Sequence, residues 1–185
     1  MDLKPGAGRL LVATPVLGDP NFDRTVVLLL EQAEQGALGV VLNRPGPTEV
    51  VVPFPGWLAH VAAPPVVFTG GPVAPAAAIG LARTGLDAEA DGWAPLLGRL
   101  GTIDLSRDPD HLAVPVEVLR VFAGYAGWGA GQLEGEIEAG AWFVVEARAE
   151  DAFSTAPAGL WRTVLRRQRG RLAMFADAPP DPTVN

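Results

Sequence analysis

Four glycines fall within eight residues in Gly124-Tyr125-Ala126-Gly127-Trp128-Gly129-Ala130-Gly131, around the only tyrosine of the chain and one of its five tryptophans. Glycine loses more conformational freedom on folding than any other residue. Interleaving it with large aromatics therefore implies a backbone that turns sharply there or approaches something closely. Before this stretch, residues 116–122 alternate apolar side chains with Glu117 and, less regularly, Arg120, as a strand does. After it, Leu133 and Ile137 stand four residues apart with Glu134, Glu136 and Glu138 off their stripe, which predicts a short helix over 132–139. Residues 142–147 then return as a strand. The expected unit is strand, glycine turn, helix, strand, a βαβ-like arrangement late in the chain.

The earlier half reads differently. Arg9–Ala13 is a short apolar run suited to a buried strand, and residues 18–24 (Gly-Asp-Pro-Asn-Phe-Asp-Arg) form a turn-rich surface loop. Residues 25–31 and 38–42 are apolar runs joined by Glu34-Gln35-Gly36, which predicts an antiparallel hairpin. Residues 46–65 are broken by proline and read as a connector with a helical turn near Trp57. Strands are expected at 66–69, 76–82 and 101–105, and a loop at 85–99. The last helix spans 159–168, with Leu160, Trp161, Val164 and Leu165 on one face and Arg162, Arg166, Arg167 and Arg169 towards solvent. Hairpins early and a single crossover late give an α+β fold with a mixed, mainly antiparallel sheet flanked by a few short helices. A chain of 185 residues is expected to form one domain, 1–185, with a proline-rich tail from about 177 to 185.

Composition removes several chemistries. There are no cysteines, so disulfides and thiolate chemistry are excluded, and a cytoplasmic address is the simplest expectation. The amino-terminal residues lack the pattern of a signal peptide, and no apolar run approaches the ~18 residues of a spanning helix. A net charge of -7 argues against non-specific contact with nucleic acid or an anionic membrane. The sole basic cluster on a predicted element, Arg162, Arg166 and Arg167, is the one candidate for nucleic-acid contact. His60 and His111 are outside any metal-ligand spacing, neither serine stands in a Gly-x-Ser-x-Gly elbow, and the single lysine, Lys4, is not in a phosphate loop. Gln132 interrupts a dinucleotide fingerprint after Gly131. No catalytic residue, metal or cofactor is assigned, and activity as an enzyme is left open with the balance against it.

Binding is the remaining possibility. A helix start after glycines offers free amides to an anion, with Tyr125 and Trp128 as flat walls, but Glu134 and Glu136 already complement that helix end. The alternative is that both aromatics pack the core. Asn43-Arg44, at the end of a buried strand, either caps the sheet by binding carbonyls or a carboxylate such as Asp19, or points into a pocket shared with Gly70-Gly71. The candidate ligand set is therefore Asn43, Arg44, Gly70, Gly71, Tyr125, Trp128 and Gln132, for a protein or small-molecule partner of unknown identity.

The blocks Leu17-Gly18-Asp19-Pro20-Asn21-Phe22-Asp23-Arg24-Thr25-Val26-Val27, Gly36-Ala37-Leu38-Gly39-Val40-Val41-Leu42-Asn43-Arg44-Pro45, Gly70-Gly71-Pro72-Val73 and Gly124-Tyr125-Ala126-Gly127-Trp128 with Gly131-Gln132-Leu133-Glu134, and a closing Trp142, resemble, in order, the YqgE/AlgH family, also called UPF0301. The resemblance implies a compact α+β domain on a branched β-sheet in a bacterial cytoplasmic protein. Family members are described as putative transcriptional regulators, without established catalytic residues or a DNA-binding motif. Two positions depart from the pattern, Ala130 where many members have proline and Gln32 where many have histidine. The second removes an acid-base or metal role at that position.

Overall fold

A computed structural model describes residues 3–179. Its strands and α-helices are β1 (Arg9–Ala13), β2 (Val26–Ala33), β3 (Gly36–Val41), β4 (Pro45–Glu49), β5 (Val66–Thr69), β6 (Val73–Thr84), β7 (Trp93–Leu97), β8 (Leu100–Ile103), β9 (Val116–Gly129), α1 (Gln132–Glu138), β10 (Trp142–Glu146), α2 (Leu160–Arg166) and α3 (Arg171–Phe175). The strands form one curled sheet in the order β10-β1-β2-β3-β9-β6-β8-β7, with β4 and β5 branching from β9. All ladders are antiparallel except that of β5 with β9. This is the expected α+β architecture. Among the described residues no helix is long and apolar enough to cross a membrane.

The sheet branches along β9. One edge of β9 pairs with β6 from Val116 to Ala123 and again at Tyr125. Its other edge is shared, by β5 at Phe122 and Ala123 and by β3 from Ala126 to Gly129. The glycine-aromatic stretch is thus the second half of a fourteen-residue strand and not a turn. Alternation of buried Ala126 and Trp128 with exposed Gly127 and Gly129 keeps the strand period through it. What the glycines provide is a bend. Gly124 has φ 73°, and a Cβ there would stand 2.5 Å from the Gly71 carbonyl oxygen. A strand interior with glycine marks such a bend or a close backbone approach. The alternating ladders make β9 and β10 parallel, joined by α1 across the three intervening strands β3, β2 and β1. The βαβ-like expectation holds in that wide form.

The first strands are buried on both faces, which is why they read as continuous apolar runs. Leu10, Val12, Val26, Leu28, Val40 and Leu42 face α2, which covers them with Leu160, Trp161, Val164 and Leu165. Leu11, Ala13, Val27, Leu29 and Val41 face Trp128, Leu133 and Trp142. A third cluster, with Val50, Trp57 and Trp93, lies under the 46–65 connector, whose expected helical turn is a 3-10 helix at Pro55–His60.

Three further expectations change. The segment 85–99 contains β7, a strand whose Pro95 is tolerated because β7 is the last strand of the sheet. The connector opens with β4, a strand disguised by Pro45, Gly46 and Pro47 that meets β5 at only two positions. Arg167 does not face solvent: both its terminal nitrogens bind Asp151, at 2.6 and 2.7 Å. The tail expected over 177–185 lies outside the described residues from 180 onward.

Arg120 is fully buried in β9 and has no carboxylate partner among the described residues. Its terminal nitrogens donate to the Ser154 and Ala63 carbonyls, at 2.7 and 2.6 Å, and its plane lies 4.2 Å from the Phe68 ring centre. Burial pulls its pKa down to about 10, so at neutral pH it remains a cation.

Candidate functional site

The residues singled out in the sequence do not converge on one cavity: Asn43 and Arg44 hold the 14–25 loop, Trp128 and Gln132 meet at a carboxylate, and Gly70, Gly71 and Tyr125 stand where the sheet branches. Residues 14–25, between β1 and β2, are tied internally by Phe22 N–H to the Asp19 carbonyl (3.0 Å), Asn21 N–H to the Asp19 carboxylate (2.9 Å) and Thr25 Oγ1 to the Phe22 carbonyl (2.8 Å). Asn43 holds the loop's far end with both ends of its amide. It accepts from Val26 N–H at 3.0 Å and donates to the Arg24 carbonyl at 2.9 Å. Arg44 donates to the Asp23 carbonyl at 2.8 Å. Of the two readings of Asn43-Arg44, the carbonyl-capping one describes these bonds, and the carbonyls belong to the loop.

Arg24 carries the strain of the arrangement, with φ 51° in a non-glycine residue. Its guanidinium sits 4.6 Å from the Trp161 ring and donates to the Ala178 and Pro179 carbonyls. Trp161 in turn donates from Nε1 to the Ala13 carbonyl at 2.8 Å. The loop's other side is fixed by aromatics: Phe22 lies 6.3 Å from Trp128, stacked, and 5.4 Å from Trp142, edge-on.

Behind Phe22 stands Glu136 on α1. Trp128 Nε1 and Trp142 Nε1 both donate to its Oε2, at 2.9 and 2.8 Å, and Gln132 Nε2 donates to its Oε1 at 3.0 Å. Gln132 Oε1 accepts from Gly129 N–H at 3.0 Å, which ties the end of β9 to the start of α1. Gln32 Nε2 reaches Glu134 at 2.8 Å from β2. A half-buried carboxylate receiving three donors is well satisfied, and charge-assisted bonds of this kind are the stronger ones. Glu136→Gln is expected to lower stability by about 1–2 kcal/mol, because the two indoles lose a charged acceptor and the new amide faces the Gln132 amide donor. Urea denaturation followed by tryptophan fluorescence checks it.

Gly70 and Gly71 meet β9 elsewhere along its length. Gly70 N–H donates to the Ala123 carbonyl and its own carbonyl accepts from Val41 N–H, both at 2.8 Å. Added Cβ atoms would stand 2.3 Å from the Gly124 oxygen and 2.2 Å from the Tyr125 carbonyl group. These two glycines and Tyr125 thus form the branch point, where β3, β5 and β9 come together. The set divides into the branch point (Gly70, Gly71, Tyr125), the loop clamp (Asn43, Arg44) and the carboxylate clamp (Trp128, Gln132). Phe22 links the last two. Sequence reasoning missed Glu136 as their centre, although its spacing four after Gln132 on a helix was the available signal. Of the three arginines weighed for nucleic acid, Arg166 pairs with Asp177 at 2.9 Å and Arg167 with Asp151, while Arg162 has no carboxylate partner among the described residues.

The family model described as AlgH-like matches residues 10–173. A UPF0301 protein of Streptomyces avermitilis is 53% identical over 182 residues, covering 96% of this chain and 94% of its own length. One from Thermobifida fusca is 46% identical over 194 residues, covering 100% and 98%. Among solved structures, a protein of Corynebacterium diphtheriae superposes with a TM-score of 0.87 at 34% identity, covering 95% of this chain and 94% of that one. The solution structure of the AlgH protein from Pseudomonas aeruginosa gives 0.66 at 28% identity, over 97% and 98%. The motif blocks, the branched sheet and these likenesses agree, and the chain belongs to the AlgH-like, UPF0301 family.

Proposed function

We propose that the protein acts by binding rather than by turnover, as a regulatory protein that presents the 14–25 loop to a protein partner. The observation that carries this reading is the use of Asn43, Arg44, Phe22 and Arg24 to hold an exposed loop in one conformation, including a strained residue. Val16 protrudes from that loop with 79% of its surface exposed. A loop already ordered before contact avoids the ordering cost of association, and exposed loops on a rigid scaffold are where recognition concentrates. Regulation of transcription, which the family resemblance implies, then proceeds through a partner without direct DNA contact. The pairing of Arg166 and Arg167 with carboxylates and the acidic net charge support this.

The test is site-specific photo-crosslinking in the parent cell, with the crosslinker at Val16 and, as control, at Val52, which is 74% exposed elsewhere on the surface. A discrete adduct from position 16 alone, lost when Asn43→Ala loosens the loop, is the expected result. Identical patterns from both positions would remove the loop from the reading. Turnover of a substrate by the purified protein, abolished by Arg44→Ala, would replace binding with catalysis.

A further inference from the structure

The cleft between α1, β10 and α3 shares Trp142 with the packing of Phe22 from the 14–25 loop but has its own chemistry. It encloses about 440 Å³ and is lined by Ile137, Trp142, Phe143 and Leu172, with Arg169 and Arg171 as its only charged groups among the described residues. That volume falls in the ~300–1,000 Å³ range of small-molecule sites. Six of the thirteen arginines pair with carboxylates, and Arg24, Arg44 and Arg120 donate to backbone carbonyls. Arg148, Arg162, Arg169 and Arg171 have neither partner among the described residues, and two of these four stand at this one apolar cleft.

In a chain of net charge -7, that placement sets the sign of the ligand. Among the described residues no carboxylate lines the cleft, so a cationic ligand finds no partner in that lining, whereas guanidiniums match a carboxylate in charge and in fork geometry. The apolar wall, of flat indole and phenyl rings with branched aliphatics, matches a hydrocarbon body. We propose that this cleft binds a free medium-chain carboxylate, its chain against Ile137, Trp142, Phe143 and Leu172 and its head group held by Arg169 and Arg171. The site is independent of the loop reading. Trp142 connects it to the Glu136 clamp, since the same indole donates to Glu136 while lining the cleft.

The experiment titrates the full chain at low salt with decanoate below its micelle-forming concentration, using calorimetry for stoichiometry and the indole N–H resonance of Trp142 for location. Saturable one-to-one binding that shifts the Trp142 signal is expected, with decanol and decylammonium weaker by at least about tenfold. The double variant Arg169→Ser, Arg171→Ser is expected to weaken decanoate binding by about tenfold or more. Leu172→Trp fills the cleft while leaving both charges, and should abolish binding. Circular dichroism melting of each variant controls for folding. Equal affinity for decanol, or decanoate binding unchanged in the double arginine variant, overturns the proposal. So does sedimentation of the protein with phosphatidylglycerol vesicles without a one-to-one decanoate site, because the arginines would then be reading a lipid surface.

Discussion

Gly71→Ala is expected to leave the protein without a cooperative native state. The added Cβ would lie 2.2 Å from both the carbon and oxygen of the Tyr125 carbonyl and 2.4 Å from the Ala126 nitrogen. These are backbone atoms of β9, held by β6 on one edge and by β3 and β5 on the other, so none can yield without opening a ladder. Overpacking of this kind costs more than about 4 kcal/mol, against a total stability of about 5–15 kcal/mol. Gly135→Ala on α1 is the control, since its Cβ would meet open space and alanine favours the helix by about 1 kcal/mol. Soluble yield and the urea midpoint distinguish them. A Gly71→Ala midpoint equal to that of the parent would mean that the branch point is less tightly closed than its distances indicate.

Arg120 supplies the second large effect, and its sign depends on the replacement. Arg120→Ala is expected to cost about 3–5 kcal/mol, because it empties the largest fully buried side chain of the protein and frees the 63 and 154 segments from β9. Arg120→Met is expected to cost less than half of that. The two charge-assisted bonds contribute roughly 1.5–3 kcal/mol each, but burial of an unpaired guanidinium costs several kcal/mol. With those two nearly cancelling, volume is what remains, and methionine restores most of it. Denaturation midpoints of the two variants settle the comparison: equal losses would show that the bonds to Ser154 and Ala63 dominate.

The contrast between what was legible and what was not has physical causes. β1, β2 and β3 were readable because strands buried on both faces leave uninterrupted apolar runs with a Gln-Gly turn between two of them. α1 was readable from a single four-residue stripe. β4 and β7 were not, because prolines in edge or barely paired strands look like loops when the partner is unknown. For the stretch 124–131, glycines interleaved with aromatics imply a sharp turn or a close approach without saying which, or to what. The structure places both the bend and the close approach at Gly124, where a Cβ would stand 2.5 Å from the Gly71 carbonyl oxygen, and that demand comes from a residue more than fifty positions away. For the candidate site, the residue types were identified but not their targets. Asn43 and Arg44 use their side chains on carbonyls, which no sequence pattern announces.

The strand order also carries a consequence for synthesis. The hairpin of β2 and β3, with β1 beside it, precedes the strands that cover it: among the described residues the outer edge of β1 is closed by β10, and that of β3 by β9 and, at Val41, by Gly70. The β1 edge therefore stays bare until roughly a hundred residues beyond β3 have emerged, a state open to pairing between neighbouring nascent chains. Final closure awaits residues 142–146, so truncations ahead of β10 should accumulate as aggregates rather than as smaller folded units.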